Sequence, residues 1–198
     1  MNFQLIKSKI KESRFQPMIY VFYFAVLLMS FHYIYLYWSG SLHFYPFAKQ
    51  VDSLFNQASL LLFNQSVWVL QHIFQIEIAT EGQTIYVNNH NGYVEVSPGC
   101  TSLKQWMHWL FIMFLFPGPW KHKLWYIPLG LVFIQFINVS RIVGLSLMII
   151  PWPQHFHFFH DYIFKTLFYL GIFLMWVVWV EFFVLPNKKK KQINSNSK

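Results

Sequence analysis

Ser97-Pro98-Gly99-Cys100-Thr101-Ser102-Leu103-Lys104 marks the point where this chain changes character. Upstream, residues 76–96 are polar and alternate in a β-like pattern; downstream, an apolar helical run reaches Phe116. Pro98 and Gly99 punctuate the boundary. The pattern places Cys100, the only cysteine in 198 residues, in the first turn of the helix. A thiol there meets unpaired backbone N–H groups and the positive end of the helix dipole, which both favour negative charge on sulfur. A thiolate is the attacking species in cysteine nucleophilic catalysis. The plainer alternative is a small packing residue that happens to begin a helix.

The composition around this stretch belongs to a membrane. The chain is 56% hydrophobic and 22% aromatic, and only 11% of it is charged, against roughly 25% in soluble domains. A single cysteine excludes an intrachain disulfide and any cysteine-rich metal site. The net charge of +8 does not point to nucleic acid, because the basic residues sit at the ends of apolar spans. Lys7, Lys9, Lys11 and Arg14 precede the first span, Lys188, Lys189, Lys190, Lys191 and Lys198 follow the last, and Lys121 and Lys123 occupy a short loop. Those three segments can share one side of the bilayer, the positive-inside pattern.

The expected architecture is an all-α polytopic membrane protein in one domain, 1–198, with about four transmembrane helices. The spans fall at about 17–38, 101–116, 124–150 and 158–185, each read as an apolar run between polar or proline-containing breaks. The first is too long for a typical signal peptide and is read as a retained anchor, with an aromatic belt of Tyr33, Tyr35, Tyr37 and Trp38 at its outer end. Both tails, 1–16 and 186–198, are expected in the cytoplasm, and segment 39–99 outside. Within that segment, Val51, Leu54, Phe55, Ala58, Leu61 and Leu62 follow helical spacing and predict an amphipathic surface helix over 49–75. The alternative is a fifth, poorly hydrophobic span, which would put the lysine-rich tail outside. A small extracytoplasmic β element follows, with Gly82 at one turn and Asn91-Gly92 as a hairpin signal.

This topology gathers reactive side chains into one layer. Cys100 opens the second span at its outer end. Arg141 lies eighteen residues beyond Lys123, roughly 27 Å at helical rise, in the outer third of the bilayer. An arginine inside a span is costly and usually faces inward with a partner; the alternative is snorkelling to lipid phosphates. Asn138, three residues earlier, shares the helix face and can support the guanidinium or a substrate. His155, His157 and His160 open the last span. Their spacing also resembles a metal cluster, but without a nearby carboxylate set the preferred reading makes His160, at the first secure turn, the base for Cys100. Asp161 is placed to pair with Lys165 or His157 at four-residue spacing. Lys104 and His108 follow Cys100 by one and two turns on the same face; Lys104 either assists the sulfur or snorkels upward, and His108 reads as a hydrogen-bonded bundle residue. Glu181 is expected to pair with the terminal lysine run.

A cysteine after a short outer β element, Asn138-Val139-Ser140-Arg141 inside the next span and His160 opening the last resemble the exosortase/archaeosortase family over roughly residues 50–185. The resemblance implies a plasma-membrane, cysteine-dependent transpeptidase with no cofactor. It implies substrates that are exported proteins carrying a C-terminal sorting signal, made of a short motif, a transmembrane helix and a basic cluster. The cleaved protein would pass to a surface anchor, with water, lipid or glycan as the acceptor. By the same resemblance Cys100 is the nucleophile, Arg141 the electrostatic stabiliser and His160 the acid/base. Many members carry glycine where this chain has Ser102, and with about four spans this is a compact variant. The rival class is a non-catalytic membrane component of a secretion or transport assembly, in which Arg141 binds lipid or a partner helix and Cys100 is packing. A weaker third reading is a metal-handling protein built on the histidines.

Overall fold

The computed structural model describes residues 16–87 and 92–186. Most of the two tails, the lysine run 188–191 and the turn residue Asn91 therefore lie outside the described residues. The chain begins with helix α1, Gln16–Gly40, within two residues of the expected first span. Helix α2, Ala48–His72, fills the predicted amphipathic segment. Its buried residues are Ser59, Leu62, Phe63, Ser66 and Leu70, three or four apart along one stripe, while Leu54, Leu60, Leu61 and Trp68 are exposed.

Three short strands follow: β1 Ile78–Glu81, β2 Thr84–Val87 and β3 Tyr93–Glu95. They form an antiparallel sheet in the order β1-β2-β3. Gly82 makes the first turn with φ +58°, a left-handed conformation that glycine adopts without a side-chain penalty. The pairing Thr84↔Glu95, Ile85↔Val94, Tyr86↔Tyr93 puts Ile85, Val87, Val94 and Val96 on one buried face, as the two-residue period of a strand requires.

Helix α3, Leu103–Leu115, is shorter than the expected span 101–116. Thirteen residues rise only about 20 Å, less than the roughly 30 Å of a hydrocarbon core. Among the described residues, three helices are long and apolar enough to cross a membrane: Met18–Gly40, Trp120–Met148 and Tyr162–Val184. Helix α4, Trp120–Met148, starts four residues before the expected boundary. It absorbs Lys121 and Lys123, which therefore stand in its first turns and not in a loop. Lys123 is buried, and its Nζ donates to the carbonyls of Phe116 at 2.7 Å and Phe114 at 3.4 Å. A cation on the last carbonyls of α3 satisfies acceptors that a helix end leaves unpaired. Pro151-Trp152-Pro153 ends the α4 region as expected, and a 3₁₀ turn, Pro153–His155, leads into the last helical stretch. Helix α5, Lys165–Trp179, is flanked by π-helical segments at Phe159–Phe164 and Val180–Val184.

Two hydrophobic clusters divide the molecule. One joins α1, α3, α4 and α5 through large rings, including Phe24, Trp109, Phe116, Tyr126, Trp176 and Trp179. Phe24 and Trp176 lie 4.5 Å apart by ring centroid, and Tyr126 and Trp179 5.2 Å. Gly130 is glycine because the Trp109 indole occupies the space a Cβ would take; the indole N–H donates to the carbonyl of Ile127. The other cluster is largely aliphatic and joins α2, the inner face of the sheet and the far end of α4 through Leu62, Ile85, Val94, Val96, Ile142 and Leu145.

Candidate active site

The stretch around Cys100 folds differently from the expected first helical turn. Pro98–Cys100 is a 3₁₀ turn, and α3 begins only at Leu103, with Ser102 at the N-cap. The sulfur thus precedes the helix, and the dipole of α3 acts on Ser102 more directly than on Cys100. Two other constraints hold the turn. The backbone N–H of Cys100 donates to Ser97 O at 2.9 Å, and the Thr101 hydroxyl donates to Pro98 O at 2.9 Å. The Ser97 hydroxyl lies 3.5 Å from the cysteine sulfur, so a polar neighbour comes from the same turn.

Helix α4 supplies the next contact. Asn138, 1% exposed, donates from Nδ2 to the backbone carbonyl of Cys100 at 3.0 Å. It therefore touches the main chain of the cysteine, and its Oδ1, which could accept from the Arg141 guanidinium or from a substrate, makes no hydrogen bond among the described residues. One turn earlier, the Ser102 hydroxyl donates to Gln135 Oε1 at 2.6 Å, and Gln135 Nε2 donates to Gln65 Oε1 of α2 at 2.8 Å. These bonds set the start of α3 level with residues 135–138 of α4. Asn138 is eighteen residues beyond Trp120, roughly 27 Å along the helix.

Arg141 and His160 meet directly: the guanidinium Nη2 stands 2.7 Å from the imidazole Nε2. A guanidinium offers donors only, so Nε2 accepts and the ring proton resides on Nδ1. His160 falls in the π segment Phe159–Phe164, where the wider turn sets its direction. Gly144, one turn past Arg141, lets the Phe164 ring approach to 2.6 Å of where a Cβ would stand, so the last helical stretch can lie close to α4 here.

Cys100 and His160 line one cavity of about 460 Å³. Its walls are the strand region Gly92–Glu95 on one side and Ile142, Leu145, Ile149 and Phe156 on the other. Of the remaining candidates, Lys104 turns to α1, with its ammonium 4.8 Å from the centre of the Tyr35 ring. His108 is buried against the same helix, with Nε2 3.3 Å from Leu28 O. Neither lines the cavity. His155 is exposed and lies outside its walls. The side chains of His157, Asp161 and Lys165 fall outside the described residues, as do the lysines expected beside the exposed Glu181.

Sequence reasoning missed Ser97, Gln65 and Gln135. Gln135 carried a signal, since an amide between Ile134 and Phe136 in an apolar span needs a partner. Ser97 carried a weaker one, its three-residue spacing from Cys100 across a Pro-Gly turn. A second cavity, of about 700 Å³, lies between α2 and α4 beside Gln65 and Gln135, with Trp68, Trp106, Leu131 and Phe136 in its walls.

No curated protein and no solved structure matches this chain. One family model does, and it runs from residue 15 to residue 177, through α1, the sheet, Cys100, Arg141 and His160. With most of its length matched by the model described as transmembrane exosortase (Exosortase_EpsH), the chain belongs to the transmembrane exosortase family.

Proposed function

We propose that the protein is a membrane-embedded cysteine protease and transpeptidase that cleaves a C-terminal sorting signal from exported proteins and transfers them to a surface anchor. The observation that carries this is the single cavity shared by Cys100 and His160, with Arg141, itself outside the cavity walls, bonded to the histidine. Cys100 attacks the scissile carbonyl. His160 takes the thiol proton and returns it to the leaving amine, giving a thioester and a released C-terminal peptide. An incoming hydroxyl or amine, or water, then attacks the thioester and regenerates the thiol.

The bond between Arg141 and Nε2 supports an order of events. While the guanidinium occupies the Nε2 lone pair, that nitrogen cannot receive a proton. When substrate enters, the developing oxyanion competes for the same N–H groups and draws the guanidinium toward itself, where a fixed charge in a poorly solvated site is most effective. Nε2 is then free to accept from sulfur. Asn138 keeps the Cys100 main chain in place through both steps.

The proposed setting is the plasma membrane, with α1, α4 and the α5 stretch crossing it. The short α3 descends from the outer face with about two thirds of a crossing, completing the fourth pass. Both tails lie in the cytoplasm and the cavity faces outward. Exposed Lys121 supports this orientation; Lys123, spent on the end of α3, supports it less.

The test is the Cys100→Ala variant in cells that make an exported protein with a C-terminal helix and basic tail. Precursor should accumulate in the membrane while the variant remains at normal level, since removing this sulfur costs at most about 1–2 kcal/mol. Processing at the unmodified rate overturns the reading.

A further inference from the structure

The cavity has a wall whose chemistry the reaction above does not use. Gly92, Tyr93, Val94 and Glu95 all line it. A strand that borders a space with its face contributes every second residue, whereas one that borders it with its edge contributes consecutive ones. β3 is the terminal strand of the sheet, paired to β2 on one side only. The backbone N–H of Val96 donates to Gln83 O. By the alternation of an antiparallel ladder, Val94 bonds back to Ile85, and Tyr93 and Glu95 turn their N–H and C=O groups the other way. Among the described residues, no backbone group pairs with that outer edge.

We infer that the extended peptide of the substrate adds to β3 as a fourth strand, held by the main-chain groups of Tyr93 and Glu95, and so brings its scissile carbonyl to Cys100. The inference rests on the reading of Cys100 as the nucleophile. Strand addition suits an occupant that is unfolded polypeptide, because the bonds are made to backbone and tolerate any side chain. It also accounts for an open strand edge beside the sulfur, where an unpaired edge is otherwise a liability. Specificity then comes from alternate side chains. Those on the α4 side meet Ile142, Leu145, Ile149 and Phe156, an apolar wall. The space is tight at one end, where a Cβ on Gly92 would come within 2.7 Å of Ile149. The edge therefore selects peptides with apolar residues at every second position of the cleaved segment.

The experiment uses the full chain in detergent and an acetylated tetrapeptide of alternating alanine and valine ending in a chloromethyl ketone. The Cys100 thiolate displaces chloride from the ketone to form a thioether. Because the chain holds one cysteine, intact mass gives the extent of labelling, with Cys100→Ala as the blank. Every rate is divided by the same protein's rate with iodoacetamide, which needs no strand pairing. Two further peptides carry N-methyl groups on alternate amides, one set on odd positions and one on even. Strand addition predicts that one of these loses labelling about tenfold or more for each bond removed, while the other keeps most of it. Glu95→Pro, which deletes an edge-facing N–H without touching the ladder to β2, should lower the normalised rate of the parent peptide about tenfold. Equal labelling by all three peptides overturns the inference, and so does equal loss in both methylated ones. Should Cys100→Ala still process substrate while the methylation pattern holds, the proposed chemistry falls and the strand pairing stands.

Discussion

The two ends of α4 are built to different rules. At the Pro117 end, α1, α3, α4 and α5 meet through large aromatic rings, and several polar atoms there bond backbone carbonyls, although the buried Trp176 Nε1 makes no hydrogen bond among the described residues. Tyr126 donates to Met175 O, Trp179 to Pro117 O and Lys123 to Phe116 O. At the Cys100 end the packing is largely aliphatic, a cavity of about 460 Å³ is left open, and Ser97, Thr101 and Asn138 bond within a short turn. The difference reflects what lipid provides. Inside a bilayer, burial of apolar groups gives little drive for helices to associate, so close ring packing and satisfied polar atoms must hold the bundle. Once that end is fixed, the other can keep a cavity and an arginine without coming apart.

That contrast can be broken most severely at Trp109. Trp109→Ala leaves a void beside Gly130 and removes the bond to Ile127 O. A buried Trp→Ala costs roughly 3–5 kcal/mol in a soluble core; with the transfer share reduced in lipid, about 2–3 kcal/mol should remain. Thermal unfolding in detergent should register that loss together with lower abundance, whereas a loss of activity at unchanged stability would contradict the division of labour. Next in size, Arg141→Lys should slow processing about a hundredfold and leave unfolding nearly unmoved. Lysine keeps the charge but lacks the planar fork that reaches both Nε2 and an oxyanion. A lysine variant working at near normal rate would return the arginine to a lipid-facing role. The smallest of the three effects is expected for Asn138→Ala, about tenfold in processing with a melting shift of a few degrees, since one hydrogen bond to the Cys100 carbonyl is lost. A pulse-chase of precursor alongside the melting curve separates the two; a stability loss without slower processing would make Asn138 a packing residue.

Much of this organisation was legible in the chain. Long apolar runs gave α1 and α4 to within a few residues, because membrane helices must satisfy their own backbone. The 3.6-residue stripe from Val51 to Leu62 predicted α2, and the period-two pattern with Gly82 predicted the sheet. Charge placement, with helical rise for Arg141, predicts Cys100, Arg141 and His160 in one layer; in the fold Arg141 bonds His160, and His160 shares a cavity with Cys100. What the sequence hid was direction. Asn138 and Arg141 share a helix face, yet one binds the Cys100 backbone and the other His160. Lys104 follows Cys100 by one turn, yet the 3₁₀ turn before α3 rotates it toward Tyr35. Lys123 counted as a topological marker although its contact is the end of α3. Each of these depends on a neighbour far along the chain, and no local period carries that information.

The π segment Phe159–Phe164 has a consequence that concerns chain length more than residue type. A π turn accommodates one residue more than an α turn over nearly the same rise. In genetic terms it is a single-codon insertion that the helix has absorbed. Deleting any one of residues 161 to 164 would let the stretch relax to α geometry without changing the identity of His160. Every position on the N-terminal side of the deletion would then rotate by about 100° relative to α5, and the imidazole would swing off the guanidinium. The histidine's place is thus written partly in the number of residues around it, and a one-residue deletion after it should separate it from Arg141 as surely as replacing it.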